Sequence, residues 1–186
     1  DLYRAISKSR EPMYEIAAKS PAPVALCGDN LDGFLVSPKI FQSYFAPEYE
    51  KQARVIHEHG KLMAVHMDGR VRSLRNVIAS TPVDIVEALH PPPMGDLPIG
   101  EALSLWEDKA VWMGFPASEY DLGPEATMRH ALEILREVSP GDRLAIAMST
   151  ENLVSNENLL ALTSILEKAE LPLTEEGIAG IESALD

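Results

Sequence analysis

"KLMAVHMDG" (61–69) runs from a lysine through Leu62, Met63, Ala64 and Val65, then stops abruptly in His66, Asp68 and Gly69. Its apolar part does not alternate with polar residues. A short continuous apolar run is the pattern of a strand buried on both faces, as strands of parallel sheets are. The polar ending is unusual, because a histidine and an aspartate can together bind a metal or move a proton.

Four further stretches have the same construction: "APVALCGDN" (22–30), "VDIVEALHPPP" (83–93), "KAVWMGFPAS" (109–118) and "DRLAIAMSTEN" (142–152). Amphipathic segments separate them. "SPKIFQSYFAPEYEKQARVIHEHG" (37–60) has Ser37 as a cap, Pro38 at the first helical position and Gly60 as a stop. Pro47 should break or kink it midway. "VRSLRNVIAST" (71–81), "PIGEALSLWED" (98–108), "GPEATMRHALEILREVSPG" (123–141) and "SNENLLALTSILEKAE" (155–170) follow. In the fourth helical segment Met128, Ala131, Leu132, Ile134 and Leu135 recur at helical spacing and define a buried stripe. Strands alternating with helices through short connections predict an α/β fold with a parallel sheet. Residues 1–20, "DLYRAISKSREPMYEIAAKS", read as a helix that should follow a strand outside this sequence. A closed (β/α)8 barrel takes eight strands and typically about 250 residues. The expectation is therefore a single incomplete barrel domain over 1–186, the C-terminal portion, with about five β/α units.

Composition narrows the function. A net charge of -13 argues against nucleic acid and against anionic membrane surfaces. No apolar run reaches the roughly 18 residues of a membrane span, and one cysteine, Cys27, fits a reducing cytoplasm without disulfides. Neither G-x-G-x-x-G, a P-loop nor a G-x-S-x-G elbow occurs. A small molecule is the expected partner.

In parallel α/β folds ligands gather at the carboxyl ends of the strands. There this sequence places Asp29 and Asn30; His66 and Asp68; Glu87 and His90; Gly114 and Phe115; Ser149, Thr150 and Glu151. His66 and Asp68, two apart, should point to the same side of their strand, and Glu87 ends the next one. His66, Asp68 and Glu87 are thus the candidate catalytic residues. Nitrogen and oxygen donors in that set suit a divalent metal such as zinc, manganese or iron, and equally suit metal-free acid–base chemistry. Asp29, Asn30, His90, Phe115, Ser149 and Thr150 are candidate substrate-binding residues. His57 and His59 read as structural, Cys27 as a core residue, and Trp106 and Trp112 as packing, with Trp112 able to wall the site.

The ordered set "GDNLDGFLVSPKIFQSYFAPEYEKQARVIHEHG", "HMDG", "VDIVEALHPPPMGD", "KAVWMGFP" and "STENLVSNENLLAL" resembles the second half of the uroporphyrinogen decarboxylase superfamily. That resemblance implies a (β/α)8 barrel and one of two activities, decarboxylation or zinc- or corrinoid-linked methyl transfer. The zinc methyltransferases carry H-x-C, a glutamate on the next strand and a second cysteine near the last. Here His66 and Glu87 match, Asp68 stands in place of the first cysteine, and Met148, Ser149 and Thr150 occupy the region of the last. Oxygen-rich ligation favours a harder metal or none. The resemblance implies His66, Asp68 and Glu87 as metal ligands, a corrinoid as substrate, a corrinoid protein and a second copy of the chain as partners. Three functions follow: metal-assisted methyl or one-carbon transfer, metal-free decarboxylation of a carboxylated small molecule or tetrapyrrole, and small-molecule binding without catalysis.

Overall fold

The computed structural model describes residues 2–148 and 153–184. Each of the five apolar runs forms a strand: β1 (Val24–Cys27), β2 (Leu62–His66), β3 (Ile85–Leu89), β4 (Ala110–Gly114) and β5 (Leu144–Ala147). All neighbours are parallel, and the strands lie in the order β1-β2-β3-β4-β5. That monotonic order has a physical consequence. Crossovers between parallel strands are right-handed, so successive steps in one direction place every connecting helix on the same face. The helix-facing residues Met63, Val65, Val86, Val111 and Met113 are at most 1% exposed. On the opposite face Leu26 is 56% and Leu62 48% exposed. A one-sided, singly wound sheet of alternating β/α units is barrel-like in construction.

The helical layer follows the sequence reading closely. α1 (Leu2–Ala18) continues through Pro12 and packs on α3. Ser37 caps the next segment, its hydroxyl accepting from the Ile40 amide, and the expected kink is a π-helical turn. Pro38–Ile40 (α2) leads into that turn at Phe41–Phe45, and α3 (Ala46–Glu58) restarts with Pro47 in its first turn. A proline there has no amide to lose, so the break falls just before it. α4 (Arg75–Ala79) and α5 (Ile99–Leu105) are short. α6 (Ala117–Tyr120) is a single turn before α7 (Pro124–Val138). α7 buries Ala131, Leu132, Ile134 and Leu135 of the expected stripe, and Met128 packs at its margin. α8 (Asn156–Leu166) begins at a Ser155 cap, and α9 (Glu175–Ser183) was not anticipated.

The amino ends of the strands are fastened by charged side chains. Lys61, just before β2, donates to the carbonyl oxygens of Ser20 and Ala22. Lys109, just before β4 and fully buried, donates to those of Thr81 and Val83. Arg143, just before β5, donates to Leu103, Trp106 and Lys109. Asp84 does the reverse before β3, accepting from the Met63 amide at 2.7 Å and from His57 at 2.7 Å. Each fastening satisfies groups left over where one connection ends and the next strand starts. It also gives His57 the structural role expected of it.

Candidate active site

At the carboxyl end of the sheet the register sets His66 opposite Glu87, and Glu87 opposite Trp112. The His66 Nδ1 lies 2.5 Å from Glu87 Oε2. A carboxylate can only accept, so this contact fixes the proton on Nδ1 and leaves Nε2 as the basic nitrogen. Nε2 faces Asp68 Oδ2 at 3.6 Å, too far for a hydrogen bond and close enough for an ion pair once the ring is charged. His66 is 31% and Glu87 20% exposed in their side chains, so the pair is reachable from the open face.

The three expected catalytic residues are therefore together. The arrangement is an imidazole held between two carboxylates, not three donors converging on one point. Among the described residues no group of three His, Cys, Asp or Glu is placed to hold a metal ion. Glu87 holds Nδ1, so Nε2 is the ring nitrogen left to meet a ligand.

β3 contributes a second feature, which the sequence conceals. Ala88 has a φ of 58°, and the ladder skips it: Glu87 pairs with Trp112 and Leu89 with Met113. A non-glycine residue in the left-handed region costs on the order of 1–2 kcal/mol, and such strain concentrates at functional sites. The bulge reverses the side-chain alternation. Without it, Leu89 would share the open face with Glu87; with it, Leu89 turns into the core at 0% exposure and His90 follows onto the Glu87 side. Gly114 accommodates the ring. A Cβ added at Gly114 would sit 2.7 Å from His90 Cε1 and 2.8 Å from Cδ2, closer than carbon atoms approach. His90 is 5% exposed and its Nε2 has no hydrogen-bond partner among the described residues. Leaving a buried polar atom unsatisfied costs about 1–3 kcal/mol.

The remaining candidates divide. Asp29 is turned toward α1 and α3, where its Oδ2 accepts from Tyr49 Oη at 3.0 Å and from Cys27 Sγ at 3.5 Å. None of its hydrogen bonds reaches His66. Burial first, and then the Asp29 charge, push the Cys27 thiol up to about 12 and raise the Tyr49 phenol as well. Asn30 lines an open groove of about 500 Å³ with Asp32, Phe34, Leu35, Asp68, Gly69, Arg70 and Met94. Phe115 is fully buried against Tyr120 and His130, with ring centroids 5.0 and 5.5 Å away, and serves the core rather than the groove. Ser149, Thr150 and Glu151 lie outside the described residues. Sequence reasoning missed Gly114 as the seat for His90. The signal was present as a glycine at a strand end, where close approach of another group is a standard reason for it.

No protein-family model matches the sequence, and no curated protein matches it either. Among solved structures, a methyltransferase from Methanosarcina mazei superposes with a TM-score of 0.66 at 15% sequence identity, over 85% of this chain. The chain spans 45% of the length of that protein. At that identity the likeness establishes the fold: an α/β architecture of parallel β/α units shared with part of a methyltransferase. No described helix is long and apolar enough to cross a membrane.

Proposed function

We propose that this chain is the C-terminal part of a (β/α)8 barrel enzyme of the uroporphyrinogen decarboxylase superfamily, catalysing methyl or one-carbon transfer with His66 as general base. The observation that carries the reading is the His66–Glu87 pair, 2.5 Å apart, with Nε2 facing Asp68 at 3.6 Å. Two features support the barrel. The sheet is covered on one side only, and the methyltransferase it superposes on is about twice as long. Further strands closing over the exposed face would bury Leu26 and Leu62, and would bring additional groups to the same mouth.

In this reading Nε2 removes the proton from the accepting heteroatom as its lone pair forms the new bond to carbon. The donor keeps the electron pair of the bond that breaks. The proton resides on His66, and the resulting imidazolium is flanked by Glu87 and Asp68, which hold the ring in place and offset its charge. General-base catalysis of this kind contributes about 10²–10⁴-fold. No step passes through a metal.

The test is methyl transfer from methylcobalamin to a thiol, followed by the visible absorbance of the corrinoid, in wild type and His66→Ala. A loss of at least 10²-fold in the variant, with wild-type activity unchanged by EDTA, is the expected result. Activity abolished by EDTA and restored by zinc, manganese or iron would replace this mechanism with the metal-assisted one. Release of CO2 from a porphyrinogen without methyl transfer would replace it with decarboxylation.

A further inference from the structure

The loops that follow β1 and β2 are laced into one platform beside Asp68. The Gly33 amide donates to the Arg70 carbonyl at 2.8 Å, and the Gly69 amide to the Leu31 carbonyl at 3.2 Å. Both glycines permit that close approach. A Cβ at Gly33 would lie 2.6 Å from the Arg70 carbonyl oxygen, and one at Gly69 would lie 2.5 Å from that of Leu31. Asp32 is taken up by the same lacing, its Oδ1 accepting from the Phe34 amide at 2.6 Å and its Oδ2 from the Arg70 amide at 3.4 Å. Two side chains stand on this platform, in the groove that Asp68 also lines. The Arg70 guanidinium carbon lies 5.1 Å from the centroid of the Phe34 ring, a cation–π contact that holds it in place. Arg72 and Arg75, next along the chain, are paired with Glu101. Among the described residues no carboxylate pairs with Arg70, and its guanidinium touches only the Phe34 ring. Phe34 is 76% and Leu35 79% exposed, so the groove has an apolar wall as well as a cation without an acceptor.

We infer that this groove binds the carboxylate of a small monoanionic ligand, with Arg70 as the residue that selects it and the ligand's apolar stem against Phe34 and Leu35. A guanidinium fork matches the two oxygens of a carboxylate, and its planar shape loses little freedom on binding. The stack on Phe34 adds to that pre-organisation, because the cation is already held where the ligand arrives. Charge limits the ligand to one negative group. A dianionic phosphate would bring two charges to one arginine in a groove that Asp32 and Asp68 also line. A cationic ligand would be repelled by Arg70 and would find Asp32 already occupied by two amides. Asp68 Oδ2 is 3.6 Å from His66 Nε2, so a ligand anchored on Arg70 lies at the same mouth as the proposed base. The inference rests on the site proposed above, yet it concerns which ligand binds rather than what reaction follows.

The experiment is an NMR titration of the full chain with sodium butyrate. It follows the arginine Nε–H signals and the Gly33 and Gly69 amides. Butyramide, butylammonium chloride and inorganic phosphate are counter-probes at equal ionic strength. Arg72, paired with Glu101, and Arg143, donating to three backbone carbonyls, are internal references. A saturable shift of Arg70 and of both glycine amides with butyrate is expected, with unmoved references and no saturable shift from the counter-probes. Loss of a charge-assisted hydrogen-bond pair should weaken butyrate binding about tenfold or more in Arg70→Gln. Arg70→Lys keeps the charge without the fork and should fall between the two. Because no hydrogen bond ties the Arg70 side chain to the described residues, both variants should keep the wild-type melting temperature. With thiol acceptors, Arg70→Gln should raise KM for 3-mercaptopropionate and leave KM for its amide, and kcat for both, unchanged. Arginine signals that all shift together, saturation by phosphate or butylammonium, or Arg70→Gln binding butyrate as well as wild type would each overturn the inference. Butyrate binding without methyl transfer would overturn the reaction alone; methyl transfer without butyrate binding would overturn the inference alone.

Discussion

Replacing Gly114 with alanine tests the bulge, the seat and the position of His90 in one substitution. An alanine Cβ would fall 2.7 Å from His90 Cε1 and 2.8 Å from Cδ2, and His90 is only 5% exposed. The imidazole cannot yield by a few tenths of an ångström as a flexible chain end could, so it must leave its seat or the strand must shift. Overpacking of this kind costs about 1–3 kcal/mol. In a protein of this size each kcal/mol moves the melting temperature by about 2–4 °C, so a fall of about 2–12 °C is expected. Gly28→Ala is the matched control, since nothing lies within 4 Å of its added Cβ. There the reduced freedom of the unfolded chain should stabilise by about 0.4–1 kcal/mol. Both variants are compared by calorimetry, with the His90 ring signals read by NMR. A Gly114→Ala variant as stable as Gly28→Ala, with unmoved His90 resonances, would refute the placement of His90 over β4 and the parity change at Ala88.

Two other outcomes follow from the seam between α1 and α3. Burial raises the pKa of the Glu48 carboxyl, but hydrogen bonds from Ser7, Lys51 and Tyr3 outweigh it and hold the group below its ordinary range. A lowered carboxyl stabilises the fold at neutral pH and loses that contribution as pH falls through the lowered value. Glu48→Gln should therefore cost about 1–2 kcal/mol at pH 7 and converge with wild type near pH 3; an equal gap at both pH values would contradict the network. Cys27, pushed up to about 12 from 9.0 by burial and Asp29, should react with iodoacetamide at pH 8 about a thousandfold more slowly than an unhindered thiol. Mass spectrometry after timed quenching measures it, and rapid labelling would show that the thiol is not held there.

The strands were legible in the sequence because each is a compact apolar run closed by turn residues, and all five fall inside the quoted stretches. The helix caps at Ser37 and Ser155 were equally plain, since their hydroxyls do what the residue type suggests. His66 and Glu87 were legible as neighbours because a parallel ladder puts successive strand ends side by side. What alternation could not supply was His90. Three residues from Glu87, it should face the opposite way, and only the extra residue at Ala88 brings it round. A bulge depends on backbone dihedrals that alanine gives no reason to expect. The partners of Asp29 were hidden for a related reason. Its partners, Tyr49 and Cys27, come from the helix layer, and a tyrosine 20 residues away leaves no local sign. Asp68 keeps its expected place without touching the histidine ring directly.

The fastenings at the amino ends of the strands bear on how the chain folds. Lys61, Lys109 and Arg143 each reach the segment that leads into the preceding strand, so three of the units latch onto the one before them. Each link joins residues 28 to 41 apart, the span of about one β/α unit, rather than distant parts of the chain. The nucleus can then grow unit by unit, with each cation arriving as its strand docks. Because those latches sit at the end remote from His66, Glu87 and His90, the loops carrying the chemistry can change their residues without slowing assembly.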